Sequence, residues 1–198
     1  MTMITLPSTP SPNAVTPTML DYGMILRPAT GAAPTRINRS GSRFQVHVTY
    51  PPMKADTARP FVSRIQQAKI NGLRMTYPLL GVSQGSPGTP LVNGSGAAGT
   101  SLPIKGLTVG YVIKEGYWLT VVDAAGVHYL HNVTANVTAD GSGHATAVVV
   151  PALRGVFADG DTVNIAAPDV EGIVTSDAAW SLDTDKLISI SFTLEEAA

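Results

Sequence analysis

The sequence predicts a mainly β protein: a sheet domain of the β-sandwich or split-barrel kind with one packed α-helix, carrying an inserted small β-barrel or β-sandwich module. Two runs of strict apolar alternation, a single helical stripe and a series of short strand-like runs at even spacing carry that expectation. In residues 43–50, Phe44, Val46, Val48 and Tyr50 alternate with Arg43, Gln45, His47 and Thr49; in residues 187–194, Ile188, Ile190, Phe192 and Leu194 stand between Ser and Thr. Both have the period of a strand with one buried face.

Taken in order, residues 1–34 read as an arm, because Pro7, Pro10, Pro12, Pro17, Pro28 and Pro34 interrupt any ladder. Its apolar group, Met19, Leu20, Tyr22, Met24, Ile25 and Leu26, suits an extended segment at a sheet edge, where proline is tolerated. An apolar, proline-rich arm without a partner in its own chain is how a subunit reaches a neighbour. The alternative is a leader without fixed structure before Thr16. After the strand at 43–50, Pro51 and Pro52 end the ladder, and Asp56 or Thr57 can cap a helix whose first turn accepts Pro60. Ala58, Phe61, Val62, Ile65 and Ala68 form its one apolar stripe, and Asn71-Gly72 supplies the exit.

A second strand is expected over 73–80. From 81 to 99 the chain is nearly all Gly, Ser, Pro, Thr and Asn around Leu91-Val92, which marks a boundary or a long excursion. Short strands resume at 117–122, 127–130, 132–138, 145–150 and 162–166, separated by turns at 123–126, 140–143 and 159–161. Residues 168–177 read as a link. The strand at 187–194 needs an apolar partner that the small module does not offer, so it is expected to pair back into the first domain. The chain then divides into 1–83 plus 168–198, carrying 84–167 as an insertion.

The composition narrows the function. Among 198 residues, 13 basic and 14 acidic side chains nearly cancel, whereas nucleic-acid binding calls for a basic surplus on one face. With only 14% of residues charged, much of the surface is expected to be covered, most economically by further copies of the chain. No cysteine is present, so disulfides and thiolate metal sites are excluded. No signal segment or membrane span is expected, which places synthesis in a cytoplasm.

Motifs for chemistry are weak. Residues 94–99 spell G-x-G-x-x-G, but Pro103 and Gly106 follow instead of the helix that a dinucleotide site needs. His128 and His131 are three apart, which on a strand puts them on opposite faces, with solvent-facing or ladder positions expected. Asp140, Asp159 and Asp161 belong to turns, and 140–143 lacks the oxygens of a calcium loop. No catalytic nucleophile, cofactor or metal is expected. Tyr117 and Trp118 could present a glycan platform or fill the core of the small module.

The run from Arg39 through Arg43-Phe44 and Tyr50-Pro51-Pro52-Met53 into the helix resembles the distal tail proteins of long-tailed bacteriophages and gene transfer agents. The likeness continues through 85–99 with Thr89-Pro90-Leu91-Val92, Lys114 to Trp118, 133–143, 150–154, 159–161 and the closing Trp180 to Asp183 and Phe192 to Glu195. The resemblance implies a tail-tube-like β-domain with a helix outside, an outward β-module, no enzymatic activity, and assembly into a ring, commonly of six copies. That ring would join the tail tube to the hub and tip proteins of a virion tail assembled in the host cytoplasm. Under it, Phe44, Val46, Val48, Tyr50, Ile188, Ile190, Phe192, Met19 and Tyr22 are the subunit-interface candidates. A tail tube or terminator subunit, or a carbohydrate-binding module for host attachment using Tyr117 and Trp118, are the alternatives.

Overall fold

The computed structural model describes residues 3–176, 179–182 and 187–197. Asp177, at the end of the expected link, and Asp183, in the closing motif, lie outside the described residues. The N-terminal part comprises β1 (Ile4–Thr5), β2 (Ala14–Leu20), β3 (Met24–Leu26), β4 (Thr35–Ile37), β5 (Arg43–Thr49), β6 (Met53–Lys54), α1 (Ala55–Asn71) and β7 (Leu73–Thr76). Next come β8 (Gly88–Val92), β9 (Ser101–Leu107), β10 (Val112–Ile113), β11 (Trp118–Val122), β12 (His128–Val133), β13 (Val137–Thr138), β14 (Ala145–Val150) and β15 (Thr162–Asn164). The chain ends with β16 (Asp169–Val174), β17 (Ala179–Leu182) and β18 (Leu187–Glu196).

The larger sheet runs β1-β7-β16-β18-β5-β2, with β6 and β17 also paired to the long β18. Strands β11-β12-β14-β9-β8-β15 close into a barrel. The fold is therefore mainly β with one helix. The sheet's inner face carries Phe44, Val46, Val48, Ile190, Phe192 and Leu194, and α1 buries Ala58, Phe61, Ile65 and Ala68 in the same core. Fully burying one such large side chain contributes roughly 1.5–3 kcal/mol. A second core, containing Leu102, Ile104, Leu119, Val121 and Phe157, belongs to the barrel.

Besides β8, which forms within the stretch expected to be an excursion, four elements differ from the sequence expectation. Helix α1 starts at Ala55, and Lys54 at its N-cap makes no side-chain cap, because the chain enters directly from the β6–β18 pairing; Asp56 sits in the first turn. Residues expected to link the two parts form β16, an interior strand between β7 and β18. Its alternation is hidden by Glu171, buried against Arg74, and by Gly172, where an added Cβ would lie 1.9 Å from the Glu195 carbonyl oxygen. Strand β9 forms despite Pro103 and Gly106: Gly106 has a φ of 77°, and a Cβ there would meet the Thr89 carbonyl oxygen.

The fourth difference is the arm, which does have partners in its own chain. Strand β2 pairs antiparallel with β5 over seven residues, from Ala14↔Thr49 to Leu20↔Arg43, and β1 pairs parallel with β7. Residues 6–13 therefore run as a strap from one edge of the sheet to the other.

Candidate assembly surface

Sequence reasoning placed the interface on β5 and β18, but both are interior strands, flanked on each side by others. Phe44, Val46, Val48, Tyr50, Ile188, Ile190 and Phe192 are all buried in the core of the chain. Their side chains cannot meet a neighbour, which corrects that part of the expectation. An alternating strand shows that one face is covered but not by what. The outer edges of the sheet are β1 and β2. Met19, on β2, and Tyr22, just after it, are exposed.

Beyond β2 the chain leaves the sheet. Strands β3 and β4 pair with one another, Met24↔Ile37 to Leu26↔Thr35, and with no other strand among the described residues. Asp21 holds the base of this hairpin: its Oδ1 accepts the Gly23 N–H at 2.8 Å and its Oδ2 accepts from the Arg36 guanidinium. The Gly23 hydrogen bond, followed by that of Arg36, holds the Asp21 carboxyl below the usual carboxylate range. Arg43 Nη2 donates to the Tyr22 hydroxyl at 3.2 Å and its guanidinium lies 5.1 Å from the centre of the Tyr22 ring, while Glu195 accepts from its Nε and Nη2. Together with residues 38–41, Tyr22 and Arg43 line an open cleft of about 580 Å³.

Outside that anchored base the hairpin carries large apolar side chains that are about half exposed. Met24 and Ile25 are 52% and 54% exposed, and Leu26 and Ile37 are exposed with them. Within residues 21–43 four arginines, Arg27, Arg36, Arg39 and Arg43, face one acid, Asp21; the other nine basic and thirteen acidic residues give the remainder the opposite sign. Exposed apolar patches with polar rims are the kind of surface on which interaction sites are commonly built. The exposed group Met24-Ile25-Leu26 was legible in the sequence as part of the arm; its pairing with residues 35–37 was not, because Thr35, Arg36 and Ile37 show no strand period of their own.

No protein-family model and no curated protein matches this chain. What can be said of its chemistry rests on its own residues. Among the described residues, no group of three or more His, Asp or Glu side chains comes together as a metal site, and no helix is long and apolar enough to cross a membrane. Residues 94–99 form a loop with positive φ at Gly94, Gly96 and Gly99, and Ala97 bridges to Phe157 in the barrel.

The aromatic candidates lie where barrel meets sheet. Trp118 packs 4.9 Å from Phe44 and 4.6 Å from Tyr77, measured between ring centres, within the core of the sheet and not that of the barrel; half-buried Tyr117 packs on the barrel core. Gln84 fixes the Trp118 backbone, accepting its N–H at 2.7 Å and donating to its carbonyl at 2.7 Å.

The same seam holds a buried ion pair. Glu196 accepts from the Phe44 N–H at 2.6 Å, the Leu130 N–H at 2.8 Å and Arg154 Nη2 at 2.9 Å, and Arg154 Nη1 donates to the Ser42 carbonyl at 3.1 Å. Burial pushes the Glu196 carboxyl up, against the pull of Arg154 and the two N–H groups. These bonds tie β5 and β18 of the sheet to β12 and the loop after β14, linking barrel and sheet across the seam. On the other flank Arg74 joins Glu171 to the Gly126 carbonyl. His128 and His131 both take ladder positions on β12, one of the two placements expected, and both are buried instead of facing solvent: His128 lies 3.6 Å from Asp169, and His131 Nδ1 lies 3.0 Å from the Pro151 carbonyl oxygen. Glu196 and Arg154 gave no signal in the sequence, since nothing in a charged residue's neighbours says that it will be buried.

Proposed function

We propose that the chain is a structural subunit of a bacteriophage tail tip, assembling with copies of itself into a ring that joins the tail tube to the distal tip proteins. The carrying observation is the β3–β4 hairpin, whose four large apolar side chains are 43–54% exposed. Two further features support it: an outer sheet edge at β2, and a net charge close to zero that permits close association of like copies. In this reading the contact is made by β2 and the hairpin, with Met19 and Tyr22 at its margin, while β5 and β18 supply the rigid sheet behind it. Six is the expected ring order, and the assembled virion tail is the expected location. The barrel, held by Glu196 and Arg74, stands as a fixed outward module.

The test is mass in solution followed by negative-stain imaging of the purified chain. Closed rings with a central channel are the expected result. A monomer at all concentrations, unchanged by Met24→Ser with Ile25→Ser, would refute the reading.

A further inference from the structure

Between the strap and the sheet lies a cavity of about 350 Å³, lined on one side by Pro7, Pro10 and Pro12 of the strap and on the other by Met75, Thr76 and Asp169, where β7 pairs with β16. Tyr50 lines it too. Its ring is fixed in the core of the sheet, 5.0 Å from the Phe61 ring and 6.3 Å from that of Phe192, and the residue is only 3% exposed. Its hydroxyl has no hydrogen-bond partner among the described residues. The buried polar side-chain atoms that are sealed off without a partner are His128 Nδ1, His131 Nε2 and Arg154 Nε. The Tyr50 hydroxyl is not one of them, so it reaches open space, and the space that Tyr50 lines is this cavity. Burial pushes that hydroxyl up to about 12, so at neutral pH it keeps its proton and can both donate and accept. A nearly buried hydroxyl left unpaired is costly, and a ligand group that reached it would recover the bond.

Charge decides what that ligand is. Two charged side chains line the cavity, Arg74 and Asp169. Arg74 is neutralised by Glu171 at 2.6 Å. Asp169 has no cation: its oxygens accept from Thr76 Oγ1 at 3.2 Å and Asn164 Nδ2 at 3.3 Å, and His128, 3.6 Å away, is kept uncharged at neutral pH by burial and then by Arg74. A carboxylate oxygen can accept two hydrogen bonds, so each keeps capacity for one more. The site therefore combines one uncompensated negative charge, an unpaired hydroxyl and apolar walls of proline and Met75. An anion has the wrong sign for it, and a hydrated metal ion would find one carboxylate where it needs several oxygens. A primary ammonium on a short aliphatic stem fits: it offers three donors and no acceptor, while its methylene groups cover apolar surface. We propose that the cavity beneath the strap binds a primary ammonium, with Asp169 as its counter-ion and the Tyr50 hydroxyl as its second partner. A free alkylamine and the lysine side chain of a partner protein share this chemistry.

Titration of the full chain with n-butylammonium, its neutral isostere n-butanol and Nα-acetyl-lysine methylamide, followed by NMR of the backbone amides, tests this. The ammonium is expected to move the signals of residues 74–76 and 169 saturably, with n-butanol at least tenfold weaker. Asp169→Asn, which keeps the shape and removes the charge, should weaken ammonium binding at least tenfold. Tyr50→Phe should weaken it by a smaller factor and leave the urea midpoint unchanged or raised, because the hydroxyl it removes has no partner to lose. Ser11→Trp, at an exposed position of the strap that lines the cavity, should fill the site and abolish binding in a folded chain, and it decides the matter if Asp169→Asn does not fold. Binding of the lysine derivative as tightly as n-butylammonium would assign the site to a partner's lysine, and binding of n-butylammonium alone would assign it to a free amine. Equal binding of n-butanol, indifference to the substitutions, or no saturation by either ammonium up to roughly 0.1 M would overturn the proposal.

Discussion

The barrel and the hairpin use similar residues to opposite ends. In the barrel, Leu102, Ile104, Val121 and Val163 vanish into a core because six strands close on themselves and leave no edge. In the hairpin, Met24, Ile25, Leu26 and Ile37 remain in solvent because two strands alone have no second layer to cover them. Apolar content does not distinguish them; closure does. The lesson is that the first region should answer to mutation in stability and the second in association.

The largest effect that sharpens this contrast is expected inside. Phe192→Ala, at a fully buried position, should cost about 3–5 kcal/mol in urea unfolding. Glu196→Ala should cost a similar amount, about 3–5 kcal/mol, since it leaves Arg154 buried without its carboxylate. Loss of less than about 1 kcal/mol in that variant would show that the seam is open to water.

Acid provides a milder test. Burial, aided by Arg154, lowers the His131 imidazole to about 3, far below its ordinary 6.5, so the folded chain keeps it neutral. Its contribution is complete above about pH 6.5 and is lost at roughly 1.4 kcal/mol per unit as pH falls from there toward 3. Glu196 has the opposite sign: its raised pKa favours the fold on the acid side, and that contribution fades as pH rises through the folded value. Urea midpoints taken through this range should fall less steeply for His131→Gln than for the wild type. Equal slopes would mean that His131 is not held neutral.

The smallest effect on stability is expected outside. Ile25→Ser should leave the unfolding free energy within about 0.5 kcal/mol while diminishing self-association measured by light scattering. If it unfolds the chain instead, the hairpin is part of the core and the contrast collapses.

Much of the fold was legible. The alternations at Phe44 to Tyr50 and Ile188 to Leu194 mark two strands that pair with each other in the structure, Phe192↔Val48 among the partners, and the stripe from Ala58 to Ala68 marks the helix on them. What escaped were elements whose local pattern is overridden by their surroundings. Strand β16 hides behind a buried Glu171 and an obligatory Gly172, and β9 behind Pro103. The interface was misplaced for a related reason: alternation at Phe44 and Ile190 promised a covered face, and the cover is α1, not a neighbouring subunit. Met19 and Tyr22 pointed toward the surface because the arm's composition offered them no core.

The strap between the two edges of the sheet also has a mechanical meaning. Tension applied from the N-terminal side reaches the two-residue β1–β7 contact before it reaches the seven-residue β2–β5 ladder. Release of the first, together with the Arg64 hydrogen bond to the Thr5 carbonyl, would free residues 3–13, roughly 35 Å of extended chain at about 3.3 Å per residue. The N-terminal segment is thus held by a short attachment followed by a long one, the order in which pulling from that side is expected to detach them.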